Sequence, residues 1–137
     1  MAAFTIQSET HNTVSSLKNL FEFLEDFKNF NSILPHDKVE NFQFNENECS
    51  FNIKGITPMT IKLVEKQPYE FILFTSDGLA KFNFKLKVFF IGEALNEGAC
   101  KVELMGDLNP FIRTMAEKAL TQLVNTMCLK LSQLKTP

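Results

Sequence analysis

The residues of this 137-residue chain that could do chemistry are few and scattered. Glu65 continues an alternation of Met59, Ile61 and Leu63 that would carry its carboxyl group to the inner face of a sheet, where it could act as a general acid or base. Its more ordinary place is a solvated strand end, which the following Lys66-Gln67-Pro68 favours. Arg113 falls in the first turn of a helix, at the edge of an apolar arc. It could meet an anionic ligand head; a surface ion pair is the common fate of such a residue. His11 and His36 sit at loop positions, where exposure is the simplest reading, and a metal centre would need more ligands near them. Cys49, Cys100 and Cys128 are isolated, with no CxxC and no base close in sequence, so they read as thiols used for packing. Asp107 suits a turn that leads into a helix N-terminus. There is no GxSxG, HExxH, Walker loop or GxGxxG. No catalytic residue, metal or cofactor is expected, and the residues identify no reaction.

Composition narrows the partners. Fourteen basic against sixteen acidic residues give a formal charge of −2, with lysines spread along the chain. Neither nucleic acid nor an anionic membrane is an expected partner. No apolar run approaches the ~18 residues of a membrane span. The start, MAAFTIQSET, has no basic and apolar leader pattern. Isolated cysteines and this start predict a soluble, cytoplasmic protein. Fifteen Phe against one Tyr and no Trp fit an interior of large apolar walls without polar handles, although Asn and Lys are also abundant and share AT-rich codons with Phe.

The elements that must position these residues follow from periodicity. Ala3 to Glu9 alternates as a half-buried strand. Asn12 or Thr13 can cap a helix running from Thr13 to about Leu24, on Val14, Leu17, Leu20, Phe21 and Leu24. Phe27, Phe30 and Ile33 predict a second short helix, ended by Leu34-Pro35. From Val39 the period becomes two. Strands are predicted around Phe42–Phe44, Cys49–Ile53, Met59–Leu63, Glu70–Thr75, Lys81–Val88 and Cys100–Leu104. The breaks are Asn45-Glu46-Asn47, Gly55 to Pro58, Lys66-Gln67-Pro68, Ser76-Asp77-Gly78 and Asn96-Glu97-Gly98. The segment EFILFT is apolar on both faces, which suggests double cover or a bulge. Asn109-Pro110 then opens a long helix to Leu134, roughly 38 Å at 1.5 Å per residue. Its apolar arc includes Met115, Ala116, Ala119, Leu120, Leu123, Val124, Met127 and Leu131, too wide for a coiled-coil seam. Short connections make consecutive strands antiparallel neighbours.

This order resembles the START, birch-pollen-allergen and polyketide-cyclase superfamily, often called SRPBCC. The likeness rests on the strand that enters helices at Asn12, on Leu34-Pro35, on Val64-Glu65-Lys66-Gln67-Pro68 and on Asn109-Pro110, and it spans essentially the whole chain. It implies an α+β helix-grip fold: a curved seven-stranded antiparallel sheet around a long C-terminal helix, two short helices after the first strand, and one domain over residues 1–137. It also implies a cavity between helix and sheet for a hydrophobic small molecule that is lipid-like, sterol-like or polyketide-like. Phe51, Ile61, Leu63, Phe82, Phe84, Leu86 and Val102 would line it from the sheet, and Met115, Ala119, Leu123 and Met127 from the helix. Glu65, Arg113 and His36, the last at the cavity mouth, are the candidate polar contacts. The same positions would serve a filled core. The resemblance keeps two other functions open, a polyketide-cyclase-type enzyme and a co-chaperone-like interaction module.

Overall fold

The computed structural model describes residues 2–55, 57–76, 83–108 and 110–136. The predicted Asp77-Gly78 turn, Lys81, Phe82 and the Asn109 cap lie outside them. The strands are β1 (Ala2–Gln7), β2 (His11–Ser16), β3 (Val39–Phe44), β4 (Glu48–Ile53), β5 (Thr57–Gln67), β6 (Phe71–Ser76), β7 (Phe84–Ile91) and β8 (Glu97–Leu108). Two α-helices, α1 (Leu17–Leu24) and α2 (Pro110–Gln133), and a 3-10 helix (Phe27–Ile33) complete the described elements. The sheet is antiparallel in the order β1-β8-β7-β6-β5-β4-β3, with β2 also pairing β8.

The stretch after β1 differs from the expectation. Residues from Thr13 are not helical: His11–Ser16 is a strand, and α1 begins only at Leu17. The reason is the length of β8, whose outer half pairs β1 and whose beginning pairs His11 and Ser16. Val14, which the helical spacing would bury, is exposed. The true N-cap is Ser16, whose hydroxyl accepts from the Asn19 amide at 3.2 Å. Leu17, Leu20, Phe21 and Leu24 then form the buried stripe of α1. In the next element the buried residues are Phe27, Phe30 and Ile33, spaced by three. Three residues per turn is the 3-10 period, so one apolar stripe drives that geometry. Leu34 is extended ahead of Pro35 and ends the helix.

In the sheet the alternation is kept across strands. Leu63, Phe74, Leu86, Leu104 and Ile6 stand in register from β5 to β1, an unbroken apolar row on the concave face. The corresponding outer row is Lys62, Thr75, Lys85, Met105 and Thr5. Phe71 and Phe89 also lie outside, where the Lys87 ammonium covers both, 4.3 and 4.8 Å from the ring centroids. This accounts for the apolar character of both faces of EFILFT.

The long helix lies over β8, β2 and β1 and against the 3-10 helix. Ala116, Leu120, Leu123, Val124, Met127, Cys128, Leu131 and Ser132 are buried among its described residues. Its end is tied to β2 by Ser15, whose hydroxyl donates to the Leu134 carbonyl at 2.7 Å. The Lys130 ammonium donates to the Leu34 carbonyl at 2.6 Å, which fastens the 3-10 helix to α2.

Candidate ligand site

The concave face is where the predicted lining residues should meet. Phe51, Ile61, Phe84, Leu86 and Val102 are buried there, and Leu63 is half-buried. Leu123 and Met127 are buried on α2, and Ala119 is half-buried. Met115 departs from its expected place: it is 57% exposed, and Phe111, one turn earlier, is 75% exposed. At 3.6 residues per turn Phe111 and Met115 lie off the face that Ala116, Leu120, Val124 and Leu131 bury, so they remain in solvent. Phe82 lies outside the described residues.

The three candidate polar contacts sit apart. Alternation would carry Glu65 inward, but a bulge at Val64 shifts the register from Leu63 opposite Phe74 to Glu65 opposite Leu73. Leu73 pairs with Lys87 on the outer face, so Glu65 is outside and exposed. One extra residue reverses every side chain after it. Lys66 takes the inner parity instead, at the sheet edge, with its ammonium 2.8 Å from Glu25 Oε2. His36 is exposed, its Nε2 2.8 Å from the Asn31 carbonyl, at the end of the 3-10 helix. Arg113 has a loose ion pair with Glu117 at 3.7 Å, and its guanidinium carbon stands 5.8 Å from the Phe4 ring centroid. Of the three, it is the one close to an apolar wall residue.

The predicted cavity lining includes no residue of the short helices. Yet Phe30 and Phe27 meet Phe74 at 5.4 and 5.9 Å between ring centroids. Phe21 meets Phe90 and Tyr69 at 5.7 and 5.5 Å. These rings occupy the concave face between β4 and β7, and the periodicity of Phe27, Phe30 and Ile33 was the available signal. The short helices thus cover this part of the concave face with aromatic rings.

Space opens at the other end. Phe4, Gly106 and Phe84 stand in register across β1, β8 and β7. A Cβ on Gly106 would lie 2.8 Å from the Asn83 carbonyl oxygen and 3.1 Å from Phe4 Cε1, so glycine is what lets the two rings flank the strand closely. At this end an open groove of about 510 Å³ has the outer-row residues Thr5, Thr75, Lys85 and Met105 in its walls, with Ala3, Ser76, Asn83 and Asp107 beside them. Among the described buried residues the polar ones are Ser8, Thr13 and Ser132. No carboxylate, histidine or lysine is among them.

No protein-family model and no curated protein sequence matches the chain. Solved structures do. Norcoclaurine synthase from Thalictrum flavum superposes with a TM-score of 0.69 at 9% identity, covering 96% of this chain and 85% of that one. TTHA0849 from Thermus thermophilus gives 0.71 at 12% identity, covering 94% of each chain. The di-domain ARO/CYC BexL of the BE-7585A biosynthetic pathway gives 0.68 at 13% identity, covering 95% of this chain and 49% of that one. The fold is a helix-grip α+β fold. At these identities the likeness carries the architecture of curved sheet, short helices and long C-terminal helix. No described helix is long and apolar enough to cross a membrane.

Proposed function

We propose that this protein is a cytoplasmic binding module for an apolar small molecule, lipid-like, sterol-like or polyketide-like, held between α2 and the concave face of the sheet. The observation that carries this reading is the apolar row Leu63, Phe74, Leu86, Leu104 and Ile6, unbroken across the concave face, in a fold similar to that of norcoclaurine synthase. Phe84 and Leu86 would form the apolar wall of the site, Leu123 and Met127 would face them from α2, and Arg113, beside Phe4, would meet an anionic head. Norcoclaurine synthase, of similar fold, has been solved with dopamine and hydroxybenzaldehyde, small aromatic molecules. This supports a small-molecule reading of the fold without naming the ligand.

A polyketide-cyclase-type activity has less support, because the described buried residues offer no acid or base and Glu65 faces outward. A co-chaperone-like role would use exposed apolar residues such as Phe111 and Met115.

Native mass spectrometry of protein purified from cells, followed by displacement titration with fatty acids, quinones and sterols, tests the proposal. Bound apolar material, or binding of at least one class that Phe84→Ala weakens by about tenfold, is expected, since a buried ring contributes of the order of 1.5–3 kcal/mol. Arg113→Ala should weaken fatty acids and leave sterols unchanged. Empty protein that binds none of the panel would overturn the reading.

A further inference from the structure

Two thiols that the sequence sets 28 positions apart meet inside the protein. Cys100 of β8 and Cys128 of α2 have their sulfurs 3.6 Å apart, and both residues are fully buried. We propose that Cys100 and Cys128 are a redox couple, which hydrogen peroxide converts to a reversible disulfide joining β8 to α2.

The geometry around the pair is more specific than apolar packing requires. The Cys128 thiol lies 3.2 Å from the Cys100 carbonyl and 3.4 Å from the Glu9 carbonyl, so it has two acceptors in reach. The Cys100 sulfur lies 3.6 Å from the Cys128 carbonyl. Glu9 belongs to the connection between β1 and β2, where the β8 ladder passes from Gln7 opposite Glu103 to His11 opposite Cys100. One side of that step has an extra residue. Ser8 absorbs it by donating its amide to the Val102 carbonyl at 2.8 Å and accepting the Val102 amide on its hydroxyl at 2.9 Å. The irregular backbone of a bulge thus lies directly over the pair.

Outside it is a surface groove of about 370 Å³ lined by Glu9, His11, Asn125, Thr126 and Leu129. Asn125 and Leu129 flank Cys128 on the helix. A small oxidant has only the Ser8–His11 segment and one turn of helix to pass. Hydrogen peroxide fits this approach better than a peptide-sized disulfide. A metal is a poor occupant, because the described residues contain no group of three potential ligands.

The two thiols are also unlike. The hydrogen bond from Cys100 lowers the Cys128 thiol, with help from the Ser8 hydroxyl and His11 against the cost of burial. Donating that hydrogen bond, together with burial and the neighbouring thiolate, pushes Cys100 up. Cys128, whose neighbours Glu9, Asn125 and Leu129 line the groove, is the attacking sulfur, and Cys100 the resolving one. The Cys128 thiolate forms a bond to one peroxide oxygen, the O–O bond breaks, and the leaving hydroxide takes a proton to become water. Cys100 then gives up its proton and its sulfur attacks the sulfenic sulfur of Cys128. The S–S bond forms, the S–O bond breaks, and the hydroxide leaves as a second water. Two thiols are oxidised and one peroxide is reduced to two waters. The sulfurs must close by about 1.5 Å to reach bonding distance.

The test is peroxide treatment of the whole protein at neutral pH, with denaturing alkylation, intact mass and peptide mapping. A mass lower by about 2 Da, alkylation of Cys49 alone, a linked Cys100–Cys128 peptide and full reversal by dithiothreitol are expected. Equal alkylation of all three cysteines after peroxide, or oxygen adducts without the linked peptide, would overturn the proposal. Cys100→Ser should accumulate a dimedone-reactive sulfenic acid at Cys128, whereas Cys128→Ser should leave Cys100 unreacted. The opposite pattern would overturn the assigned roles. The map of the unsubstituted protein decides the disulfide itself, whatever the variants do to folding.

Discussion

Phe30 stands edge-on to Phe74, with ring centroids 5.4 Å apart and planes at 84°, so the 3-10 helix covers the middle of the sheet alongside the long helix. Both rings are almost wholly buried. Phe30→Ala should leave a void at the centre of the concave face and cost about 3–5 kcal/mol in urea unfolding. The same void should raise binding of an apolar dye in the folded protein, which titration below the unfolding transition would detect.

Glu65→Ala should change stability by less than about 0.5 kcal/mol and leave ligand binding as it was, because the bulge at Val64 turns this carboxylate to solvent. A loss of binding in a folded Glu65→Ala protein would show that the side chain reaches the interior.

Ser16→Ala removes the hydroxyl that accepts the Asn19 amide at the start of α1. A loss of about 1 kcal/mol is expected in chemical denaturation. Thr13→Ala acts at a different point: its hydroxyl accepts the Gly98 amide at 2.9 Å, within the β2–β8 region. Amide exchange should therefore quicken at Gly98 in the second variant and not in the first.

Gly98→Ala is expected to cost about 2 kcal/mol or more, since a Cβ there would run into the Ile91 carbonyl oxygen and press on the Leu17 side chain. Thermal melting of Gly98→Ala beside Leu17→Ala would separate the two contacts, because backbone collision persists when Leu17 is shortened.

Burial pushes the Cys49 thiol from its ordinary 9.0 up to about 12, with Glu48 adding to the effect. Between those values the unfolded chain gives up a proton that the folded chain keeps. Stability from this group is therefore complete below pH 9 and is lost as the pH rises toward 12, by about 1.4 kcal/mol per pH unit. Denaturation series at pH 8 and pH 10.5 should show Cys49→Val losing less stability than the unsubstituted protein over that interval.

Local elements whose side-chain period is uninterrupted were legible in the order of residues alone. The strands from Val39 to Leu104, the buried stripe Leu17, Leu20, Phe21 and Leu24, and the start of the last helix at Pro110 are of this kind, because each depends on neighbours a few residues away. The apolar row from Leu63 to Ile6 also follows from alternation once the strands are paired. Packing between distant segments settled the rest. His11–Ser16 became a strand because a remote segment, β8, had room to pair it, and no local signal carries that length match. Glu65 turned outward because one residue bulged, which reverses parity without altering composition. Met115 stayed in solvent because it lies off the face that Ala116, Leu120 and Val124 turn inward, while Leu123 and Met127 were covered. Cys100 and Cys128 became neighbours only when α2 settled on β8. Periodicity tells which side chains must leave water, but which of them then meet depends on contacts between segments far apart in the chain.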